Sequence, residues 1–187
     1  MEGVVLSRLA ELATVAEDVD DIPVDTLTRA AGLVLVYPWL ADHCRRAMAL
    51  HPTLDQVDVR ETALAAVVSG DDPSLVDDPV IRLLAGRTTP AGGADHERMP
   101  LAHSDEVVES ARGVLAAFAA MLPGFQRSSA EFVRDSWVAR LGLLDLDRDP
   151  PLLIAVTHPL DVVLPRLPYP VGLVKLPWSP PLSVRFR

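Results

Sequence analysis

The sequence predicts a mainly α fold with a small C-terminal β element, an α+β arrangement of short helices packed in a compact bundle. Three observations carry this. Apolar residues recur at helical spacing through most of the first 140 positions, and capping residues and glycines bracket those runs. After Asp147 the pattern switches to short apolar runs broken by proline. The composition agrees. Of 187 residues, 49% are hydrophobic and 5% aromatic, and Ala, Val and Leu supply much of the apolar content. That mixture suits helices at close range and can bury a substantial core.

The elements follow in order. Val5, Leu9, Leu12, Ala16 and Val19 share a helical face over residues 4–19. The stretch AAGLVLVYPWL is too apolar to face water and reads as a buried strand or the buried start of a helix. Pro38 suits a first helical turn, so PWLADHCRRAMAL is a helix that Pro52 stops. In DVRETALAAVVSG, Asp58 is placed to cap, with Glu61 three residues on and Gly70 at the end. DDPVIRLLAG repeats this grammar with Asp78, Pro79 and Gly86. Residues 87–103 form a polar Gly/Pro loop and mark the internal boundary. The chain therefore divides into an N-terminal helical part (1–86), the loop (87–103), and helices followed by the β element (104–187), together one compact unit.

Beyond the loop, Val107, Ala111, Val114, Leu115, Phe118, Met121 and Leu122 fall on one helical face. Ser128 and Glu131 suggest a capping box for the next helix. PPLLIAVTH, VGLVKL and LSVRFR read as strands, and HPLDVVLPRLP between them as one helical turn. In the last strand Leu182, Val184 and Phe186 point inward, with Ser183, Arg185 and Arg187 outward. These apolar strands must pair with each other or with another chain, and are expected to serve association or domain closure more than helix formation.

Charge narrows the function classes. The net charge of −9 argues against nucleic acid as a partner. It is uneven: residues 1–80 hold 15 acids against 5 arginines, and residues 148–187 hold 2 acids against 5 bases. One cysteine allows no intrachain disulfide, which fits a reducing compartment. The N-terminus lacks the basic start of a signal peptide, and no uncharged apolar stretch reaches the ~20 residues of a membrane span. A cytoplasmic location without membrane insertion is expected.

No catalytic, cofactor-binding or metal-binding set emerges, and no cofactor is expected. His96 and His103 share a loop with Asp95, Glu97 and Asp105, but the spacing fits no helix-based zinc pattern. GDDPSLVDDP lacks the ligand periodicity of a calcium loop. Cys44 precedes Arg45 and Arg46, which allows either a reactive thiol or a small apolar residue on a half-buried face.

Three stretches, in order, carry a family resemblance. AGLVLVYPWLADHCRRAMAL, ETALAAVVSGDDPSLVDDPVIRLLAGRTTP and LPRLPYPVGLVKLPWSPPLSVRF resemble successive segments of the contractile injection system tape measure proteins. The resemblance runs from about residue 29 to the end, and KLPW with the upstream AGLVL is its most specific part. The chain departs from the family pattern in ALAAVV, which lacks aromatic and His character, at Ala85 in place of a common Cys, and at Ser179 in place of the usual Met.

The resemblance implies a non-enzymatic component of a phage-tail-like particle, involved in assembly and tube-length control. Its implied partners are other particle proteins, on the tube, cap or baseplate side, and a homo-oligomer is left open. A wholly helical chain of this length would span about 280 Å, and a folded one far less. The chain is therefore expected to act as an adaptor or end-docking module rather than a ruler by itself. Lys175, Pro177, Trp178 and Arg185 are the candidate partner-binding residues, with Trp178 either anchoring an interface or covering the domain's own core. Two alternatives stand beside this: a cytosolic protein-binding adaptor unrelated to a particle, and a small enzyme using Cys44 or the His96–His103 loop.

Overall fold

The computed structural model describes residues 27–70, 75–87 and 104–187. The helix expected over residues 4–19 and all but Arg87 of the polar loop lie outside them. The order of elements is β1 (Leu27–Thr28), a 3-10 turn (Ala31–Leu35), α1 (Tyr37–Leu50), α2 (Gln56–Ser69), α3 (Pro79–Ala85), α4 (Asp105–Met121) and α5 (Ala130–Val133), which runs into a π-helical turn (Arg134–Val138). There follow β2 (Gly142–Asp145), β3 (Leu152–Ala155), a 3-10 helix (Pro159–Arg166), β4 (Leu173–Val174) and β5 (Leu182–Phe186). The fold is α+β: packed helices with a small five-stranded sheet.

Helix α2 is the hub. It packs on α1, α3 and α4, and its residues 59–68 are all buried. A helix enclosed on every side needs no polar face, so ALAAVV is apolar all round. Asp55 caps it by accepting from the Val57 and Asp58 amides at 2.9 and 3.1 Å, and Gly70 ends it with φ +71°. The expected cap, Asp58, sits instead in the first turn. The Asp58 and Glu61 carboxylates are both drawn to Arg87, which donates from Nη2 to Glu61 Oε2 at 2.8 Å and also pairs with Asp58. Glu61 is fully buried, and a buried carboxylate needs such a partner.

Helix α3 matches its reading: Asp78 caps the Val80 amide at 3.0 Å, Pro79 opens the helix and Gly86 ends it with φ +86°. Asp78 also accepts from Thr28 Oγ1 and the Arg29 amide, both at 2.7 Å. One carboxylate thus caps a helix and pins strand β1.

AGLVL is neither a strand nor the start of α1 but a separate 3-10 turn. It lies against the π-helical turn so closely that a Cβ on Gly32 would stand 1.9 Å from the Trp137 carbonyl. The Ala31 amide donates to the Arg140 carbonyl at 3.1 Å. A buried segment that joins no strand ladder must satisfy most of its backbone locally, and the short 3-10 repeat does so.

Helix α4 buries Val107, Ala111, Val114, Leu115 and Phe118, with Leu122 just beyond it. Met121 departs from the expected face and is 43% exposed, because the chain turns away at Leu122. Ser129 rather than Ser128 caps α5, accepting from the Phe132 amide. The segment after β3 is an eight-residue 3-10 helix rather than one turn, opened by a capping box between His158 and Asp161.

The strand order is β1-β2-β3-β5-β4, with β3 and β5 parallel and the other pairs antiparallel. Strands β1 and β2 extend the sheet beyond the C-terminal run read from the sequence. Leu144, Leu153, Val184, Val174 and Leu182 face the helices and belong to the same core. Leu182 and Val184 thus point inward as expected, and Phe186 packs against the core while half-exposed. Because β5 lies between β3 and β4, the end of the chain is part of the core the helices share, beyond any role in association.

Phe118 is fully buried between Trp39 and Trp137, edge-on to both at 6.5 and 6.2 Å between centroids. Phe118→Ala is expected to cost about 3–5 kcal/mol in a denaturant melt. A loss below about 1 kcal/mol would place this face outside the core.

Candidate docking surfaces

The KLPW turn joins β4 to β5. Lys175 and Pro177 are exposed, Leu176 is buried, and Trp178 is half-buried. Helix α3 ends in carbonyls with no intrahelical partner. Trp178 Nε1 donates to one of them, Leu84, at 2.8 Å, and Arg60 Nε donates to the next, Ala85, at 2.7 Å. The Arg60 guanidinium lies 4.9 Å from the Trp178 ring centroid. A cation at the negative end of α3 is also favoured by the helix dipole. Gly86 is required here, since a Cβ would come within 2.6 Å of the Trp178 carbonyl and φ is +86°. Trp178 is therefore engaged by the protein's own α3 and α2. Arg60 was missed by sequence reading; the signal was a cation next to Glu61 at the start of a helical run that continues as ALAAVV.

Arg185 stands on the other side of the sheet. The register puts Leu27, Leu143, Ile154 and Arg185 in one outward row, and Asp145, Leu152, Ser183 and Leu173 in the next. Leu152 and Ile154 are buried in the middle of this face. Leu27 and Leu173, at its two edges, are 40% and 54% exposed. Arg148 pairs with Asp145 at 2.8 Å on its rim. The structure thus separates the four candidate residues: Arg185 lies on the outer face, Lys175 and Pro177 on the exposed turn, and Trp178 on the helical side.

A groove of about 700 Å³ runs between α1 and α4. Trp39, Ala47 and Leu50 line one wall and Val107, Gly113 and Ala117 the other. His43 closes its floor. It is buried, with Nε2 2.9 Å from the Ala63 carbonyl and Nδ1 2.8 Å from Ser110 Oγ. The carbonyl only accepts, so Nε2 carries the proton and the Ser110 hydroxyl donates to Nδ1. Burial holds the imidazole pKa below its ordinary value, with the nearby Arg46 charge acting in the same direction.

The alternative chemistry finds no support in this arrangement. Cys44 is fully buried and its thiol is pushed up to about 12 by desolvation, which leaves no thiolate at neutral pH. Residues 95–103, with His96 and His103, lie outside the described residues. Among the described residues no group of three His, Cys, Asp or Glu is placed to hold a metal, and no helix is long and apolar enough to cross a membrane.

Two expectations follow. Gly113 lies in the interior of α4, and apart from its chain neighbours and the helix's own backbone no atom among the described residues comes within 4 Å of a Cβ built there. Gly113→Ala should therefore stabilise the protein by roughly 0.5–1 kcal/mol in a denaturant melt, and a loss would reveal a contact at this site. The His43 pKa is lower in the folded state, so its contribution is complete above the unfolded value of 6.5 and is lost as pH falls below it toward the folded value. Stability should drop by at most about 1.4 kcal/mol per pH unit in that window. His43→Gln should remove that part of the slope, and an unchanged slope would refute the assignment.

The family described as contractile injection system tape measure protein has a model that matches residues 9–186 of the chain. No curated protein and no solved structure matches it.

Proposed function

The chain belongs to the contractile injection system tape measure protein family, and from that premise we propose that it acts as a non-enzymatic docking module of the particle. It holds another particle protein through the outer face of its sheet. The observation that carries this reading is the outward row Leu27, Leu143 and Ile154 ending in Arg185, buried at its centre at Ile154, with Leu27 at one edge and Leu173 of the neighbouring row at the other 40% and 54% exposed. Exposed apolar positions rimmed by charge suit a protein interface.

Dimensions favour docking over measurement by length. The longest described helix, α4, has 17 residues, about 25 Å at 1.5 Å per residue. The described elements fold back on one core instead of extending as a rod. Lys175 and Pro177 flank the same sheet end and extend the proposed contact. Trp178 supports it from behind by fixing the turn on α3.

The double variant Leu173→Asp with Arg185→Glu tests this reading. Both side chains are exposed, so the melting transition should stay within about 0.5 kcal/mol of the parent. Co-purification with tube, sheath and baseplate proteins should fall at least tenfold. Lys175 is the chain's sole lysine and should give a side-chain amine crosslink to the bound particle protein, lost in the double variant. Normal incorporation of the folded double variant would remove the outer face as the docking surface.

A further inference from the structure

We infer that the groove between α1 and α4 is a second docking site. Its occupant is an amphipathic helix of another protein, with aliphatic residues on one face and lysines or arginines along the flank that lies over α4.

The shape of the groove comes first. Its lining is two stripes at helical spacing, Trp39, His43, Ala47 and Leu50 on α1 and Val107, Ser110, Val114 and Ala117 on α4; the buried His43, Ala47, Val107 and Val114 form its floor and the others its rims. From Trp39 to Leu50 the wall runs about 16 Å at 1.5 Å per residue, the length of three turns of a docked helix. The lining is mostly apolar, and at one end Leu50 is 47% exposed. A helix laid in such a groove presents side chains at i, i+3 or i+4 and i+7.

Gly113 is the second observation. Glycine weakens a helix interior, and here no contact among the described residues requires it. A locally unfavourable residue without an internal reason points to an external one. Between Ser110 and Ala117, its missing side chain lets a second backbone approach α4 closely.

Charge selects the occupant. On the α1 rim Asp42 is matched by Arg45 and Arg46 at 3.2 and 2.6 Å. On the α4 side stand Asp105, Glu106 and Glu109, and among the described residues the ion pair seen there is Arg112 with Glu109 at 3.2 Å. The flank over α4 therefore calls for positive charge. The 26 residues preceding Leu27 carry seven acids and one arginine, the wrong sign for this flank. A second copy brings its own acidic α4.

This site is separate from the outer face of the sheet, and its test needs no particle, so failure here leaves the sheet-face reading standing. The full chain is titrated into fluorescein-labelled 18-residue model peptides of leucine and lysine at amphipathic helical spacing, followed by anisotropy. A leucine–glutamate counterpart is the control. The leucine–lysine peptide should bind. Gly113→Phe, whose Cβ meets nothing and whose melt should match the parent's, should weaken binding at least tenfold, as should Glu106→Lys with Glu109→Lys. The leucine–glutamate peptide should not bind. No binding, equal binding by Gly113→Phe, or equal binding of the acidic peptide would each overturn the proposal. Leu9→Cys with Ala117→Cys, treated with a bismaleimide, reports the chain's own segments, since Cys44 is buried and stays silent. Absence of a crosslink supports the proposal; an intrachain or interchain product assigns the groove to this chain itself and overturns it.

Discussion

A helix whose buried stretch nevertheless carries two charges sets the terms for the rest of this fold. Arg60 and Glu61 both lie in the buried stretch of α2. Burying either without a partner would cost several kcal/mol. Glu61 is answered by Arg87, immediately past the end of α3. Arg60 is answered by the Ala85 carbonyl and the Trp178 ring. Both solutions fix the C-terminal end of α3 against α2, and one of them brings in the turn before β5. Positions 60, 85 and 178, far apart in the chain, thus form one polar junction inside an apolar bundle, and the sheet is registered to the helices through it.

This arrangement divides the protein into a supporting and a presenting side. Trp178 and Leu176 face the helices, while Lys175 and Pro177 on the same turn face outward. Leu153 and Val184 face the core, while Ile154 and Arg185 beside them face away. The period-two alternation of strands lets five residues hold the fold and offer a surface together. Each outward side chain on these strands thus shares its backbone with one packed in the core.

What could be read from the sequence was what is decided locally. Asp78, Pro79 and Gly86 bracket α3 because capping and left-handed termination act within four residues. Asp58 misled because its partner, Arg87, is 29 residues away and competes with capping. AGLVL misled because its 3-10 form is imposed by the Trp137 backbone pressed against Gly32. Strands β1 and β2 are two and four residues long and have no recognisable period without their neighbours. The KLPW tryptophan stood out at once, but its carbonyl and guanidinium partners are set by tertiary packing. The groove was invisible because its walls lie on helices some 65 residues apart.

The parallel pairing of β3 with β5 has a consequence in time. About 30 residues separate these strands, and β4 must be made before the strand that will divide it from β3. In a chain made from its N-terminus, the middle of the sheet stays open until Phe186 has left the ribosome. Until then the Ala85 carbonyl can find Arg60, but Leu84 waits for its indole. Vectorial synthesis thus delivers the helices first and the outward rows last. The strand order therefore makes the sheet, and with it the outward rows, a feature only of chains whose synthesis has passed β5.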